Sequence, residues 1–380
     1  MAKQVKRILF MQTQAENAGA QEISRLLGEG LSARGHEVHH VFFYRKTDGF
    51  DNWENTTICC DNRPGNPLAF LQFYKGLIAT IKKIDPDIVF TFQHFGNVMG
   101  APASRLAGVP NIVANQVSAR ETINPVVRMI DLIWGMSAIY PLITINSSAL
   151  LRDYENFPTR YTRKLLKIPH GFEDKTTSLS KDKARTLHGL PKGAPLLGTV
   201  ARLNEAKQID CAIELLTHDP HWHLVIAGQG PDEKRLKDCA AQLGVQERII
   251  FLGELSQDRI GSVLAALDVF VFPSRAETFG LAAVEAAQSA VPVVANDLDV
   301  LREVLATDGK PCADFVDVKN IDAFAAAVRR LFEDNNHAKA MAARGVLLKD
   351  KYSLNAMVDA YEAMVLNKDL KPWRVSEVGS

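Results

Sequence analysis

The chain has 380 residues, 47% of them hydrophobic, with 44 basic and 44 acidic side chains. That is enough apolar content for two separate cores, and the balanced charge argues against a protein whose surface coats nucleic acid. Five cysteines, at 59, 60, 211, 239 and 312, form no Cys-x-x-Cys pair or zinc spacing, and their odd number does not close a disulfide framework, so a reduced, cytoplasmic setting is expected.

At the N-terminus the only apolar core is Ile8 to Met11, too short for a signal peptide. Apolar strand-like runs then alternate with longer helical stretches, the signature of parallel α/β layers. Strands are predicted at 7–11, 37–43, 87–92, 111–114 and 142–145. Between the first two, Gln21 to Arg34 carries Ile23, Leu26, Leu27 and Leu31 at helical spacing and ends before Gly35. The uncharged stretch from Leu132 to Leu151 contains Gly135, Pro141 and Asn146, and reads as a helix followed by a buried strand rather than a membrane span.

After Ile168-Pro169-His170-Gly171 the polar stretch Glu173 to Lys183 reads as a linker. Strands recur at 195–200, 223–227, 248–252, 269–272 and 291–295, and a last helix is predicted at Leu354 to Leu366 with Met357, Tyr361 and Met364 on one face. The expected organisation is therefore two doubly wound, Rossmann-like domains, 1–172 and 173–355, facing a central cleft, with a helix and tail at 356–380. Residues 1–170 hold 19 Lys and Arg against 14 Asp and Glu, a net charge of +5; a basic N-terminal half suits an anionic ligand or membrane surface, and uneven charge without function is the plain alternative.

The chemistry gathers after the strands. Arg202 and Lys207 follow the strand ending at Val200, at the edge where open parallel sheets bind ligands, and two cations there suit a diphosphate. Two surface cations paired with Glu205 is the plain alternative. Gly228 and Gly230 form a tight turn after the next strand, and Gly19 occupies the first turn of the N-terminal half. The three-glycine dinucleotide fingerprint is missing, which argues against a nicotinamide cofactor.

Glu277 and Glu285 stand eight positions apart in PSRAETFGLAAVEAAQSAVPVV, directly after the apolar run at 267–272. Phe279 to Ala290 has helical composition, so amides of Thr278, Phe279, Gly280 and Leu281 are expected to point unpaired at an anion. At about 1.5 Å per residue, eight helical residues span about 12 Å, roughly the length from a sugar ring to the ribose of a nucleotide-sugar. His94, Gln116 and His170 each fall just after a predicted strand, where His94 and Gln116 are candidate contacts to an acceptor or reacting sugar. His218, His221 and His223 surround Pro220 without a matching carboxylate and do not read as a metal site.

Taken in order, Arg202…Lys207, Ala227-Gly228-Gln229-Gly230, Phe251-Leu252-Gly253, Pro273 to Gly280 and Glu285-Ala286 resemble the family 4 glycosyltransferases of GT-B fold, over about residues 5 to 365. The resemblance implies a metal-independent hexosyltransferase that retains anomeric configuration and needs no cofactor, the nucleotide-sugar being a substrate. It implies that Arg202 and Lys207 hold the donor diphosphate, Glu277 the sugar hydroxyls and Glu285 the ribose. It further implies that Gly19 meets the donor phosphate and that the last helix crosses back to the first domain. The implied partners are a nucleotide-sugar donor and a glycan or lipid-linked acceptor of bacterial surface polysaccharide or lipopolysaccharide synthesis, with peripheral contact at the cytoplasmic face of the inner membrane and no nucleic acid.

This chain departs from the pattern at three places. Only Gly19 stands where two adjacent glycines are common, Asp297 to Glu303 lacks a glycine pair, and Gln116 occupies a histidine's place near the reacting sugar. Glutamine donates a hydrogen bond but cannot act as a base near neutral pH. A sugar-nucleotide epimerase or hydrolase and a non-catalytic nucleotide-sugar-binding protein are the rival readings.

Overall fold

A computed structural model describes residues 4–16, 18–47, 49–51 and 53–367. Asn17, next to the Gly19 turn, and the tail at 368–380 lie outside the described residues. The chain divides into two compact units, one running to Gly171 and resuming at Tyr352, the other spanning Phe172–Lys351.

The first unit is built on seven parallel strands: β1 (Arg7–Ala15), β2 (Glu37–Arg45), β3 (Thr56–Cys60), β4 (Ile88–Phe92), β5 (Asn111–Gln116), β6 (Leu142–Ile145) and β7 (Leu165–Lys167). They lie in the order β3-β2-β1-β4-β5-β6-β7. The second unit has β8 (Leu196–Val200), β9 (His223–Ala227), β10 (Ile249–Gly253), β11 (Val269–Phe272) and β12 (Val293–Asn296), a small antiparallel pair β13 (Ala306–Thr307) and β14 (Lys310–Pro311), and β15 (Asp314–Val316). Its parallel sheet runs β10-β9-β8-β11-β12-β15. Both sheets therefore start in the middle and wind outward to either side, the doubly wound order. Central strands are covered on both faces, which is why Ile8 to Met11 and Val269 to Phe272 are buried without alternation.

Five strands of each sheet stand where the apolar runs place them. The edge strands β3, β7 and β15 went unread because they are short or only partly buried, so they carry no apolar run. Glu173 to Ser180 is free of helix and strand, but helix Lys181–Leu187 begins inside the segment read as a linker.

The last helix, Leu354–Leu366, returns to the first unit and packs on helix Gly19–Ala33. Its buried residues Met357, Val358, Tyr361, Met364 and Val365 repeat at helical spacing. The Tyr361 hydroxyl donates to Asn115 Oδ1 at 2.6 Å, while Arg34 holds Asp359 and Glu362, each at 2.6 Å. A Cβ on Gly30 would sit 2.6 Å from Val358 Cγ2, so glycine is what lets the two helices approach this closely.

Two histidines of this unit are buried and neutral. His40 stacks on Phe10 and meets Trp53 edge-on, and His170 lies 2.9 Å from Asn146 Nδ2. Burial lowers their pKa values from the usual 6.5 to about 4 and about 3. Below pH 6.5 the unfolded chain takes up protons that the folded one refuses, so stability falls as pH drops toward the folded values. We expect the urea midpoint of this unit to decline steadily from pH 6.5 to 4, each ring contributing a loss of about 2 kcal/mol by pH 5. A flat midpoint over that range would mean that the rings protonate without unfolding.

Candidate functional site

In a doubly wound sheet the crevice opens at the carboxyl ends of the strands where the winding reverses. In the second unit that point lies between β8 and β11. The loop after β8 carries Arg202 and Lys207, and the loop after β11 carries Pro273 to Gly280.

The two loops are joined by backbone and side chains. Arg275 donates its amide to Ala206 O at 2.9 Å, and its guanidinium pairs with Glu205 at 3.1 Å. A 3₁₀ turn at Glu205–Lys207 ends at Gln208, held in the left-handed region at φ 47°. That turn presents Lys207, whose Nζ donates to Glu277 Oε1 at 2.5 Å and lies 5.6 Å from the Phe272 ring centroid. Both partners are largely buried, so the pair is a charge-assisted bond in a partly desolvated place rather than a surface contact.

The glycine turn after β9 packs beneath. Gly228 has φ 135° and donates its amide to Gly253 O at 2.7 Å; Leu203 donates to Gln229 O at 3.0 Å. A Cβ on Gly228 would fall 1.9 Å from Ala201 O, and one on Gly230 would fall 2.1 Å from Leu203 O. These glycines are required because the loop bearing Arg202 runs directly across them.

Helix Leu281–Gln288 starts two residues later than its composition suggests. Gly280 caps it at φ 87°, and its carbonyl accepts the amides of Ala283 and Val284 at 3.0 and 3.2 Å. Thr278 and Phe279 therefore belong to the loop, and helical rise does not set the separation of Glu277 and Glu285. Leu281 opens the helix at its positive end, and Glu285 is buried one turn in. The plain alternative for Lys207 is corrected: Glu205 pairs with Arg275, and Lys207 with Glu277, 70 positions away.

The first unit offers a second reversal point, between β1 and β4. Gly19 is exposed at the start of helix Gly19–Ala33, after β1. His94 follows β4 within a tightly held segment. Gln93 is left-handed at φ 66°, and Gly96–Gly100 forms a π-helical turn pinned by Asn97, which accepts from Thr91 Oγ1 at 2.7 Å and donates to Asn115 O at 3.0 Å. His94 Nδ1 lies 3.3 Å from Ser118 Oγ, and burial lowers its pKa below the usual value, so the ring is neutral near pH 7.

Gln116, one strand further out, is buried. Its amide donates to Asp131 Oδ1 at 2.8 Å and to the Tyr161 hydroxyl at 3.1 Å, and its Oε1 accepts from Asn97 at 3.3 Å. Both ends of the side chain thus serve the protein's own network. Asp131, whose carboxyl is raised above the usual range by burial, is the member that sequence reading missed; its only signal was a lone acid in a helix that is apolar apart from Arg128. Of the remaining histidines, His170 is the buried ring described above, and His218 pairs with Asp322 at 3.0 Å. Among the described residues no three His, Cys, Asp or Glu side chains gather into a metal-holding group.

Residues 180–346, within the second unit, match the family described as Glycosyl transferases group 1. The chain is 29% identical over 214 residues to the lipopolysaccharide core biosynthesis mannosyltransferase LpsB of Rhizobium meliloti, which aligns 52% of this chain with 60% of that protein. It is 25% identical over 201 residues to the O-antigen biosynthesis glycosyltransferase WclY of Escherichia coli, aligning 53% and 55%. Among solved structures, Anabaena HepE in complex with UDP and glucose has a TM-score of 0.82 at 19% identity, covering 95% of this chain and 99% of that one. WaaG, a glycosyltransferase involved in lipopolysaccharide biosynthesis, has a TM-score of 0.77 at 15% identity, covering 95% and 100%.

Residues 180–346 thus match the Glycosyl transferases group 1 family, and the two parallel-sheet domains have the fold of the GT-B glycosyltransferases. The chain spans about half the length of the curated relatives it matches.

Proposed function

We propose that this protein is a retaining hexosyltransferase that moves a sugar from a nucleoside-diphosphate sugar, of UDP-sugar or GDP-mannose type, to a hydroxyl of a glycan or glycolipid acceptor. Its place is bacterial surface polysaccharide or lipopolysaccharide synthesis at the cytoplasmic face of the membrane. The observation that carries the reading is the Lys207–Glu277 pair at the winding reversal of the second sheet, beside Arg202 and a helix N-terminus. A cation next to a sugar-binding carboxylate joins the two ends of the bond that breaks. The names of LpsB and WclY support the substrate class.

In this mechanism Arg202 and Lys207 take the charge that grows on the departing diphosphate, with the amides at the start of helix Leu281–Gln288 adding to them. No metal or cofactor is required for that role. Glu277 orients the sugar hydroxyls, and Lys207 holds its carboxylate in place. The acceptor hydroxyl attacks from the face the diphosphate leaves, and a phosphate oxygen takes its proton. Glu285 holds the ribose.

Two measurements test this. Calorimetry with UDP and GDP is expected to show one nucleotide binding, weakened on the order of tenfold by Glu285→Ala through loss of a charge-assisted bond. NMR of the product is expected to show the donor's anomeric configuration. Unchanged affinity in the variant removes the ribose role, and an inverted product or a sugar trapped on Glu277 removes the mechanism.

A further inference from the structure

The loop that carries Glu277 is held at both ends by the segment that closes β12. Asn296 is the last residue of that strand, and its side-chain amide donates to the carbonyl oxygen of Ser274 at 3.0 Å. Its Oδ1 accepts the amides of Asp297 at 3.1 Å and of Val318 at 3.4 Å. Five residues on, Leu301 is fully buried in helix Asp299–Val304, with Cδ2 only 2.6 Å from the place a Cβ on Gly280 would take. One short stretch, 296–301, thus meets the loop where it leaves β11 and again where it enters helix Leu281–Gln288.

The contact at Ser274 is the more telling one. Its carbonyl belongs to the same peptide unit as the Arg275 amide, which donates to Ala206 O at 2.9 Å. That single plane is therefore pinned on both edges, through its N–H by the loop after β8 and through its C=O by the end of β12. Strands β8 and β12 are the two neighbours of β11 in the sheet. Pairing continues one step beyond the ladder, with a side-chain amide standing in for the backbone donor on the β12 side. A planar unit with both of its hydrogen-bonding groups fixed has little freedom to turn, and Glu277 follows two residues later. Ser274 is 1% exposed, so losing the Asn296 donor leaves that carbonyl buried and unpaired unless the loop moves.

We propose that Asn296 is the positioning residue for Glu277: its N–H fixes the 274–275 peptide, and with it the direction in which the carboxylate meets Lys207 and the donor sugar. The proposal rests on the reading that gives Glu277 the sugar and Glu285 the ribose. An asparagine that only stabilised the unit would affect every ligand alike. A positioning one acts on the sugar end, because Glu285 lies beyond Gly280 on a helix that Asn296 does not hold.

The test compares the wild-type chain with Asn296→Asp, which keeps the accepting oxygen and loses only the N–H donor, and with Asn296→Ser, which loses the reach without adding charge. Hydrogen exchange followed by mass spectrometry, without ligand, should show the amides of 275–280 exchanging about tenfold faster in both variants. Calorimetry then uses whichever of UDP-glucose, UDP-galactose, UDP-N-acetylglucosamine and GDP-mannose the wild type binds most tightly. Its affinity should weaken roughly tenfold in the variants, while that of the matching free diphosphate changes by less than about twofold. Arg302→Ala breaks the neighbouring exposed pair with Asp297 and should leave both readouts at the wild-type level. Unchanged exchange in both variants overturns the proposal, and so do equal losses of affinity for the sugar nucleotide and the free diphosphate. A wild-type chain that binds no nucleotide removes the transferase reading instead; faster exchange over 275–280 then still supports the clamp, and unchanged exchange removes it too.

Discussion

Lys207→Ala should lower turnover by on the order of 10²-fold or more, the scale of losing one fixed donor aimed at transition-state charge. The geometry makes this the largest single effect expected at the site. Lys207 Nζ bonds Glu277 at 2.5 Å, so truncation removes the cation proposed to hold the leaving group and also strands a largely buried carboxylate. Lys207→Ala should therefore both depress kcat and raise KM for the donor as Glu277 loses its orientation, and Arg202→Ala should depress kcat as well. Steady-state rates with a donor chosen by the calorimetric screen check this. Wild-type turnover in both variants would remove the diphosphate assignment, and an unchanged donor KM in Lys207→Ala would remove the coupling between Lys207 and Glu277.

Gly228→Ala should destabilise the second unit by about 2–4 kcal/mol and abolish nucleotide binding. Two effects add at this position. At φ 135° the backbone is in a region that L side chains rarely adopt, and the new Cβ would stand 1.9 Å from the carbonyl oxygen of Ala201. A backbone atom cannot rotate away as a side chain can. The strand end must move, and with it the loop that presents Arg202 and Lys207. Gly244→Ala is the control: it has φ 68° but nothing within 4 Å of its Cβ, so only the left-handed strain of about 1 kcal/mol applies. Urea unfolding and UDP or GDP calorimetry on the two variants separate the contributions. Equal losses would show that the close approach at Gly228 has no energetic weight.

How legible each part was in the sequence depends on where its energy comes from. Central strands of a parallel sheet are buried on both faces, so Val269-Phe270-Val271-Phe272 announces itself as a run, and the periodicity of Met357, Tyr361 and Met364 marks the last helix to the residue. Edge strands are stabilised by one neighbour only, and Thr56-Thr57-Ile58-Cys59-Cys60 carries no comparable run. The position of the candidate site was also legible, because cations and glycines that follow strands must lie at the sheet's carboxyl edge.

Pairings across long separations were not. The 70 positions between Lys207 and Glu277, and the 15 between Gln116 and Asp131, leave no local pattern, since a side chain's partner is chosen by which loops the winding brings together. Composition and spacing alone were enough to imply two α/β layers, their winding and the loops that carry charge, because burial and backbone hydrogen bonding act through periodic, local rules. Packing in three dimensions then settled that Lys207 holds Glu277 and that Gln116 serves a buried network. Those outcomes depend on the shape and charge of neighbours distant in the chain, which no local rule encodes.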